Sequence, residues 1–314
     1  MHSNYNIPIK IGTRASELAI AQANQVKKLI LEFNQSLTDK DVKIIKINTS
    51  GDKFLNENLS LIGGKGLFTK EIDEMLMKDK LDLAVHSMKD LPAKLPDQLT
   101  VSAILEREEA TDAFISHKYM NLFHLPQKAI IGTSSIRRKA ILLHHRPDLK
   151  IVNFRGNINT RLRKLKEENI DGIILATAGL KRIGIPSVIT KKISTEIMTP
   201  AIGQGAIGVV SKTNNSKIKT IIKKLNHEKT EFCVNLERRF MAKLDGSCKT
   251  PIACFAKFFG DDIQIKACII HPDGSKKIDN NIIVAKKNAV AEIDKIVNIF
   301  KNEGADIIKF IKNG

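Results

Sequence analysis

Tryptophan is absent from this 314-residue chain, and aromatic residues make up only 5% of it. A protein that stacks nucleic-acid bases needs aromatic platforms interleaved with its basic residues, and no such interleaving occurs. Cysteine is scarce as well. Cys233, Cys248, Cys254 and Cys268 are the only four, with no Cys-x-x-Cys pair and no histidine at ligand spacing. That pattern argues against a structural zinc module and a secreted disulfide framework, and it predicts thiols in a reducing compartment; no metal is expected. No apolar run approaches the length of a membrane-spanning helix. The N-terminus lacks a basic start followed by an apolar block, so a cytoplasmic location is the expectation. There is no internal repeat and no low-complexity linker.

What is present describes a compact globular protein, with 42% hydrophobic and 27% charged residues. The length suits two or three domains, each able to bury its own core. The formal charge of +17, from 51 Lys and Arg against 34 Asp and Glu, calls for an anionic partner. Much of that excess is dispersed lysine, as in residues 217–224, where a solvated face is the simpler account. The placement of the arginines therefore carries more information than the total.

Short β-branched runs alternate with helical patterns over the first two thirds of the chain. Strands are predicted at residues 7–11, 42–47 and 82–86, with a helix capped by Ser16 and another over residues 67–78. After Ala110 the alternation resumes, with helices from about Ser135 and Asn159 and strands at residues 150–154 and 172–176. Pro200, Gly203, Gly205 and Gly208 then crowd together and suggest a crossing between domains. Beyond them come a helix at residues 228–244, strands near 252–258, 263–270 and 277–284, and a helix at 288–302. The expected fold class is α/β, with two α/β lobes followed by a smaller C-terminal α+β domain. In such sheets ligands bind where loops leave the carboxyl ends of strands.

Polar residues gather at those predicted strand ends. Gly12-Thr13-Arg14-Ala15-Ser16 puts an arginine at a helix N-terminus, a reasonable anion grip. Val85-His86-Ser87-Met88-Lys89-Asp90-Leu91-Pro92 runs an apolar strand into a lysine and a carboxylate; His86 reads as a hydrogen-bonded core residue. Gly132-Thr133-Ser134-Ser135-Ile136-Arg137-Arg138 places two arginines in the first turn of a helix, against its macrodipole, which costs stability unless an anion offsets it. Arg155-Gly156-Asn157, Arg161 and Arg182 follow further strands. The planar guanidinium suits bidentate carboxylate contacts. Cys248 lies in a glycine-containing loop that closes a helix, without a histidine base nearby in sequence.

In their order along the chain these segments, with Thr49-Ser50-Gly51-Asp52, Gly63-Gly64-Lys65-Gly66-Leu67-Phe68, Ala178 to Gly184, Gly203-Gln204-Gly205 and Glu237 to Pro251, resemble the porphobilinogen deaminase family. The resemblance extends from Ile9 to about Cys254. It implies head-to-tail condensation of four porphobilinogen molecules with loss of ammonia, then hydrolysis to release hydroxymethylbilane, on the way to haem. It also implies a dipyrromethane cofactor held by a thioether at Cys248, with further cofactor contacts from Lys65, Ser87, Thr133, Ser135, Arg137, Arg138 and Asp52. The resemblance makes Asp90 the catalytic carboxylate that would stabilise positive charge on the pyrrole, with Lys89 assigned beside it as the neighbouring cation. Substrate contacts fall to Arg14, Ser16, Phe68, Arg155, Arg161, Arg182 and Gln204. The lobes would resemble those of periplasmic binding proteins. Lobe 1 would comprise residues 1–105 and 206–223, lobe 2 residues 110–200, and the last domain residues 228–314. The resemblance further implies a monomer, with no nucleic-acid or membrane partner. A non-catalytic, two-lobed anion-binding protein is the rival reading; it would keep the arginines but have no use for both Asp90 and Cys248.

Overall fold

A computed structural model of the chain describes residues 8–53, 69–244 and 250–313, with backbone alone at 52–53 and 311–313. The chain divides into two compact units, residues 1–107 with 206–231 and residues 108–205 with 232–314.

The first unit opens with β1 (Ile9–Arg14), whose Ile9 and Ile11 are buried while Lys10 faces water. Helix α1 (Glu17–Phe33) follows at once because Ser16 caps it, accepting a hydrogen bond from the Ala19 backbone N–H. Ala19, Ala23, Val26 and Ile30 form its buried stripe. Then come β2 (Val42–Ile47), the short helix α2 (Ser50–Lys53), α3 (Lys70–Met77), β3 (Leu83–Ser87) and β4 (Leu99–Ile104). The second unit continues with β5 (Asp112–Ile115), β6 (Ile130–Gly132), α4 (Ile136–His145), β7 (Lys150–Val152), α5 (Ile158–Glu167), β8 (Gly172–Ala176), α6 (Thr177–Arg182) and β9 (Lys191–Ile193). The chain then returns to the first unit through β10 (Ile207–Lys212) and α7 (Ser216–Ile222), and passes along α8 (Glu228–Lys243).

Each unit is built on a five-stranded sheet, ordered β2-β1-β3-β10-β4 in the first and β7-β6-β8-β5-β9 in the second. The same plan recurs in both. Three strands run parallel, the crossing strand (β10 or β5) enters antiparallel beside the third, and an edge strand closes the sheet. Lys43 and Lys46 on β2, Lys150 on β7, and Lys191 and Lys192 on β9 are exposed on edge strands. Lysine there discourages a second chain from pairing with the open edge, which gives part of the lysine excess a structural cause.

The C-terminal segment forms an antiparallel meander, β11 (Ile252–Phe259), β12 (Asp262–Ile270) and β13 (Lys277–Ala285), followed by α9 (Ala289–Glu303) and α10 (Ala305–Asn313). Phe300 of α9 meets Phe240 of α8 edge to face, with ring centroids 5.4 Å apart. On the other side Ala253, Cys268 and Ile270 share a hydrophobic core with Ala140, Ile141 and Leu142 of α4. Two α/β lobes and a smaller C-terminal α+β sheet are the fold class expected from the sequence. The first strand begins at Ile9 rather than residue 7, and the third helix at Lys70. Among the described residues no helix is long and apolar enough to cross a membrane.

The glycine-rich stretch after Pro200 has a steric cause. Gly205 has φ +87°, and a Cβ there would sit 2.3 Å from the Glu108 carbonyl oxygen. The Gly205 carbonyl in turn accepts the Glu108 backbone N–H at 3.1 Å. Gly205→Ala should therefore lose about 2–4 kcal/mol through backbone strain and overlap together, read as a lower urea midpoint with an unchanged denaturant slope.

Candidate functional site

In the first unit β1 and β3 lie side by side and parallel, with Ile11 opposite Leu83 and Gly12 opposite Ala84. Their carboxyl ends therefore release Arg14 to Ser16 and Ser87 to Asp90 next to each other. The turn Met88–Asp90 carries the carboxylate out of the sheet. Together these residues line a recess of about 40 Å³, shared with Gln22, Thr69 and His86. That is room for about three waters, and so for the polar edge of a small ligand. Asp90 is the one carboxylate among the lining residues.

The hydroxyl groups of the recess are oriented from behind. Gln22 Nε2 donates to Ser87 Oγ at 2.7 Å, and the Ala19 backbone N–H donates to Ser16 Oγ at 3.4 Å. Each serine oxygen accepts from the fold, which leaves its own proton to be donated elsewhere. The recess thus combines a guanidinium, two hydroxyl donors and one carboxylate, a set that complements a ligand carrying both carboxylates and N–H groups.

In the second unit the loops and helices that follow β6, β7 and β8 carry the remaining candidates. Thr133 is buried, with its Oγ1 accepting the Ser135 N–H at 3.2 Å, and Ser135 caps α4. Arg137 and Arg138 turn inward onto Asp112 of β5. Arg137 Nη2 donates to Asp112 Oδ2 at 2.7 Å, while Arg138 Nε and Nη2 donate to Oδ1 at 3.0 and 2.7 Å. The remaining bonds from these two groups to described residues run from Arg137 Nη1 to the Thr199 carbonyl and from Arg138 Nη1 to the Ile174 carbonyl. Arg137 Nε is buried and has no acceptor among the described residues. Arg161 donates to the Gly156 carbonyl at 2.8 Å. Its pKa is lowered to about 10, first by burial and then by repulsion from Arg138 and Arg155. Arg155 bonds Asn153 Oδ1 at 3.3 Å. Arg182 donates to the Gly205 carbonyl at 2.6 Å, and burial lowers its pKa to about 10 against the pull of Glu108.

Several expectations fall elsewhere. Gln204 is only 1% exposed and turns its Nε2 inward, to the Ala110 carbonyl at 2.6 Å and to Asp112 Oδ1 at 3.1 Å. Lys89 is partly buried beside Asp90 and does not line the recess. Lys65, Phe68 and Cys248 lie outside the described residues, and Asp52 is described by its backbone alone in α2. Sequence reasoning missed Asp112 and Gln22. The macrodipole argument called for an anion near Arg137 and Arg138, and the protein supplies one itself; an aspartate opening the apolar run Ala113-Phe114-Ile115 was its only trace.

His86 is a core residue, as expected, but its Nε2 has no partner among the described residues. Burial first and Arg14 second lower its pKa to about 4. The sign follows from linkage. An unfolded histidine takes a proton below about pH 6.5, whereas the folded one takes it only near pH 4, so stability present above pH 6.5 is lost as pH falls. This group should remove on the order of 3 kcal/mol between pH 7 and pH 4, and His86→Gln should flatten that part of a urea-midpoint-against-pH curve.

The family models and the sequence relatives agree with one another. The family model described as porphobilinogen deaminase, dipyromethane cofactor binding domain, matches residues 9–220, and that for the C-terminal domain of porphobilinogen deaminase matches residues 231–298. The porphobilinogen deaminase of Lawsonia intracellularis is 43% identical over 301 residues, covering 96% of each chain. That of Syntrophomonas wolfei is 44% identical over 86% of this chain and 87% of its own. The chloroplastic enzyme of Pisum sativum is 44% identical over 88% of this chain and 75% of its own. Among solved structures, a nutrient binding protein from Burkholderia cenocepacia bound to methionine superposes with a TM-score of 0.44 at 16% identity, over 71% of this chain and 94% of that one. With both family models in sequence and relatives above 40% identity along nearly the whole length, the chain belongs to the porphobilinogen deaminase family.

Proposed function

We propose that the chain works as a hydroxymethylbilane synthase, joining four porphobilinogen molecules head to tail with loss of ammonia and then releasing the linear product by hydrolysis. The observation that carries this reading is the recess at the ends of β1 and β3, where Asp90 is the one lining carboxylate beside Arg14, Ser16 and Ser87. Positive charge develops on the pyrrole nitrogen as ammonia leaves, and again as the new carbon–carbon bond forms. Asp90 accepts the pyrrole N–H and lowers the energy of that charge; a preoriented group of this kind is worth about 100- to 1000-fold in rate. Arg14 and the Ser16 hydroxyl hold a substrate carboxylate, and Lys89 adds its positive charge to the turn that carries Asp90.

The family cofactor is a dipyrromethane, and the second unit fits a group bearing several carboxylates. Two buried guanidinium groups face one internal carboxylate, and the buried Arg137 Nε lacks an acceptor among the described residues. Arg137, Arg138, Ser135 and Thr133 would hold the group, with Lys65, Ser87 and Asp52 as further contacts and Cys248 as its thioether anchor. When bound it supplies the free pyrrole carbon that starts the chain. Arg155, Arg161 and Arg182 bind the carboxylates of later pyrroles, with Phe68 and Gln204 also assigned to substrate. With this reading go three domains (residues 1–105 with 206–223, 110–200, and 228–314), a monomer and a cytoplasmic home.

Purified wild-type protein should be heavier than its sequence by two deaminated porphobilinogen residues, and Cys248→Ala should show the bare mass, both read by intact mass spectrometry after incubation with porphobilinogen. Asp90→Asn should keep the wild-type melting temperature and lose about 100-fold or more in kcat. Full turnover by Asp90→Asn would favour the anion-binding rival.

A further inference from the structure

Asp112 is fully buried in β5, yet its carboxylate is shared by three side chains. Oδ2 takes Arg137; Oδ1 takes Arg138 twice and Gln204 once. The plane of a guanidinium at the end of a long flexible stem is defined only when it is held at more than one point. Arg138 is gripped by Asp112 and the Ile174 carbonyl, Arg137 by Asp112 and the Thr199 carbonyl. Asp112 is the group common to both, so the orientation of one guanidinium relative to the other is set through it.

The charge and donor balance points outward from there. Among the described residues two guanidinium groups against one carboxylate leave a surplus positive charge, with Arg161 close enough to feel Arg138. Of five N–H donors on each arginine, bonds to described residues take two on Arg137 and three on Arg138. A second internal carboxylate would saturate the pair, and none at all would let it splay. One carboxylate holds the pair in register while leaving it short of negative charge.

We propose that Asp112, touching no ligand itself, is the positioning residue that sets Arg137 and Arg138 as a joint receptor for carboxylates of the cofactor and growing pyrrole chain. The assignment rests on the porphobilinogen reading above. Gln204 donates to the Ala110 carbonyl and to the same Asp112 oxygen that Arg138 uses, and so helps to steady Asp112.

The test compares wild type, Asp112→Asn, Asp112→Glu and Leu149→Ala by thermal melt, by intact mass after incubation with porphobilinogen, and by turnover. Asp112→Asn should carry the two-pyrrole adduct on about a tenth of molecules or fewer and lose about 10- to 100-fold in kcat/KM, the range for removing a group that orients ligand contacts. Asp112→Glu, which restores the charge, should recover part of the adduct. Leu149→Ala trims a buried core side chain of the same unit and leaves the carboxylate and its partners in place, so it should load within about threefold of wild type even where it melts lower. Adduct formation by Asp112→Asn at the wild-type level would overturn the proposal, as would loading that simply follows melting temperature across all four proteins. Should Asp112→Asn fail to fold, Asp112→Glu and Leu149→Ala decide: at a temperature where both are folded Asp112→Glu must load less than Leu149→Ala, and equal or fuller loading would overturn the proposal. A wild type with neither adduct nor turnover would instead overturn the porphobilinogen reading, and this inference with it.

Discussion

Burying a guanidinium without a counter-charge costs several kcal/mol, and the second lobe buries two of them on a single aspartate. Asp112 sits at 0% exposure, with Arg137 and Arg138 at 5% and 6%. The surrounding architecture serves that contact. β5 must enter the sheet antiparallel beside β8 for Asp112 to lie opposite Ala176 and next to the Ile174 carbonyl that Arg138 reaches. Helix α4 must start directly after β6, under the Ser135 cap, for its first turn to aim both arginines at that strand. The chain beyond Met198 must bring the Thr199 carbonyl and Gln204 to the same place. A macrodipole that opposes two arginines at a helix N-terminus is thus answered by a residue from a different strand.

How much of this was legible depends on the range of the interaction. Local rules located α1, with Ser16 as its cap and its apolar stripe, and α5, with Asn157 accepting from Thr160. They also located the strand that ends at Ser87 and the three strands of the C-terminal meander. The Arg14 and Asp90 loops could be picked out because an apolar strand running into charged residues marks a sheet's carboxyl edge. That they meet in one recess follows from the parallel pairing of β1 with β3, whose strands are separated by some seventy residues, and periodicity says nothing about such pairing. Asp112, Gln22 and the inward turn of Gln204 were invisible for the same reason. Each acquires its role from a partner far away in sequence, and the family resemblance, which rests on motif order, does not single them out.

The charge of the chain separates into two populations with different physics. Lysines crowd the exposed edges of β2, β7 and β9, where a flexible, well-hydrated ammonium blocks edge pairing and stays in water. Arg137, Arg138, Arg161 and Arg182 lie instead in the helices that follow β6, β7 and β8, desolvated wholly or in part and anchored through backbone carbonyls. A lysine could not replace them, because a point charge with a mobile stem cannot donate to a carbonyl with one nitrogen and present a second to a ligand. The net charge of +17 therefore overstates the electrostatic field of the site and understates its order.

That order has an energetic direction. Desolvation lowers the pKa of Arg138, Arg161 and Arg182, so each is less comfortable as a cation than it would be in water. A ligand carboxylate arriving beside them relieves that cost as well as adding its own attraction, and the gain is larger in a partly dry setting than at an exposed lysine. Asp112 offsets part of the charge and backbone carbonyls take several of the donors. A fold that had neutralised its arginines completely would be more stable and would have nothing left to offer an anion. On the proposed reading, stability given up at Arg137 and Arg161 is what would make the second lobe receptive to a carboxylate.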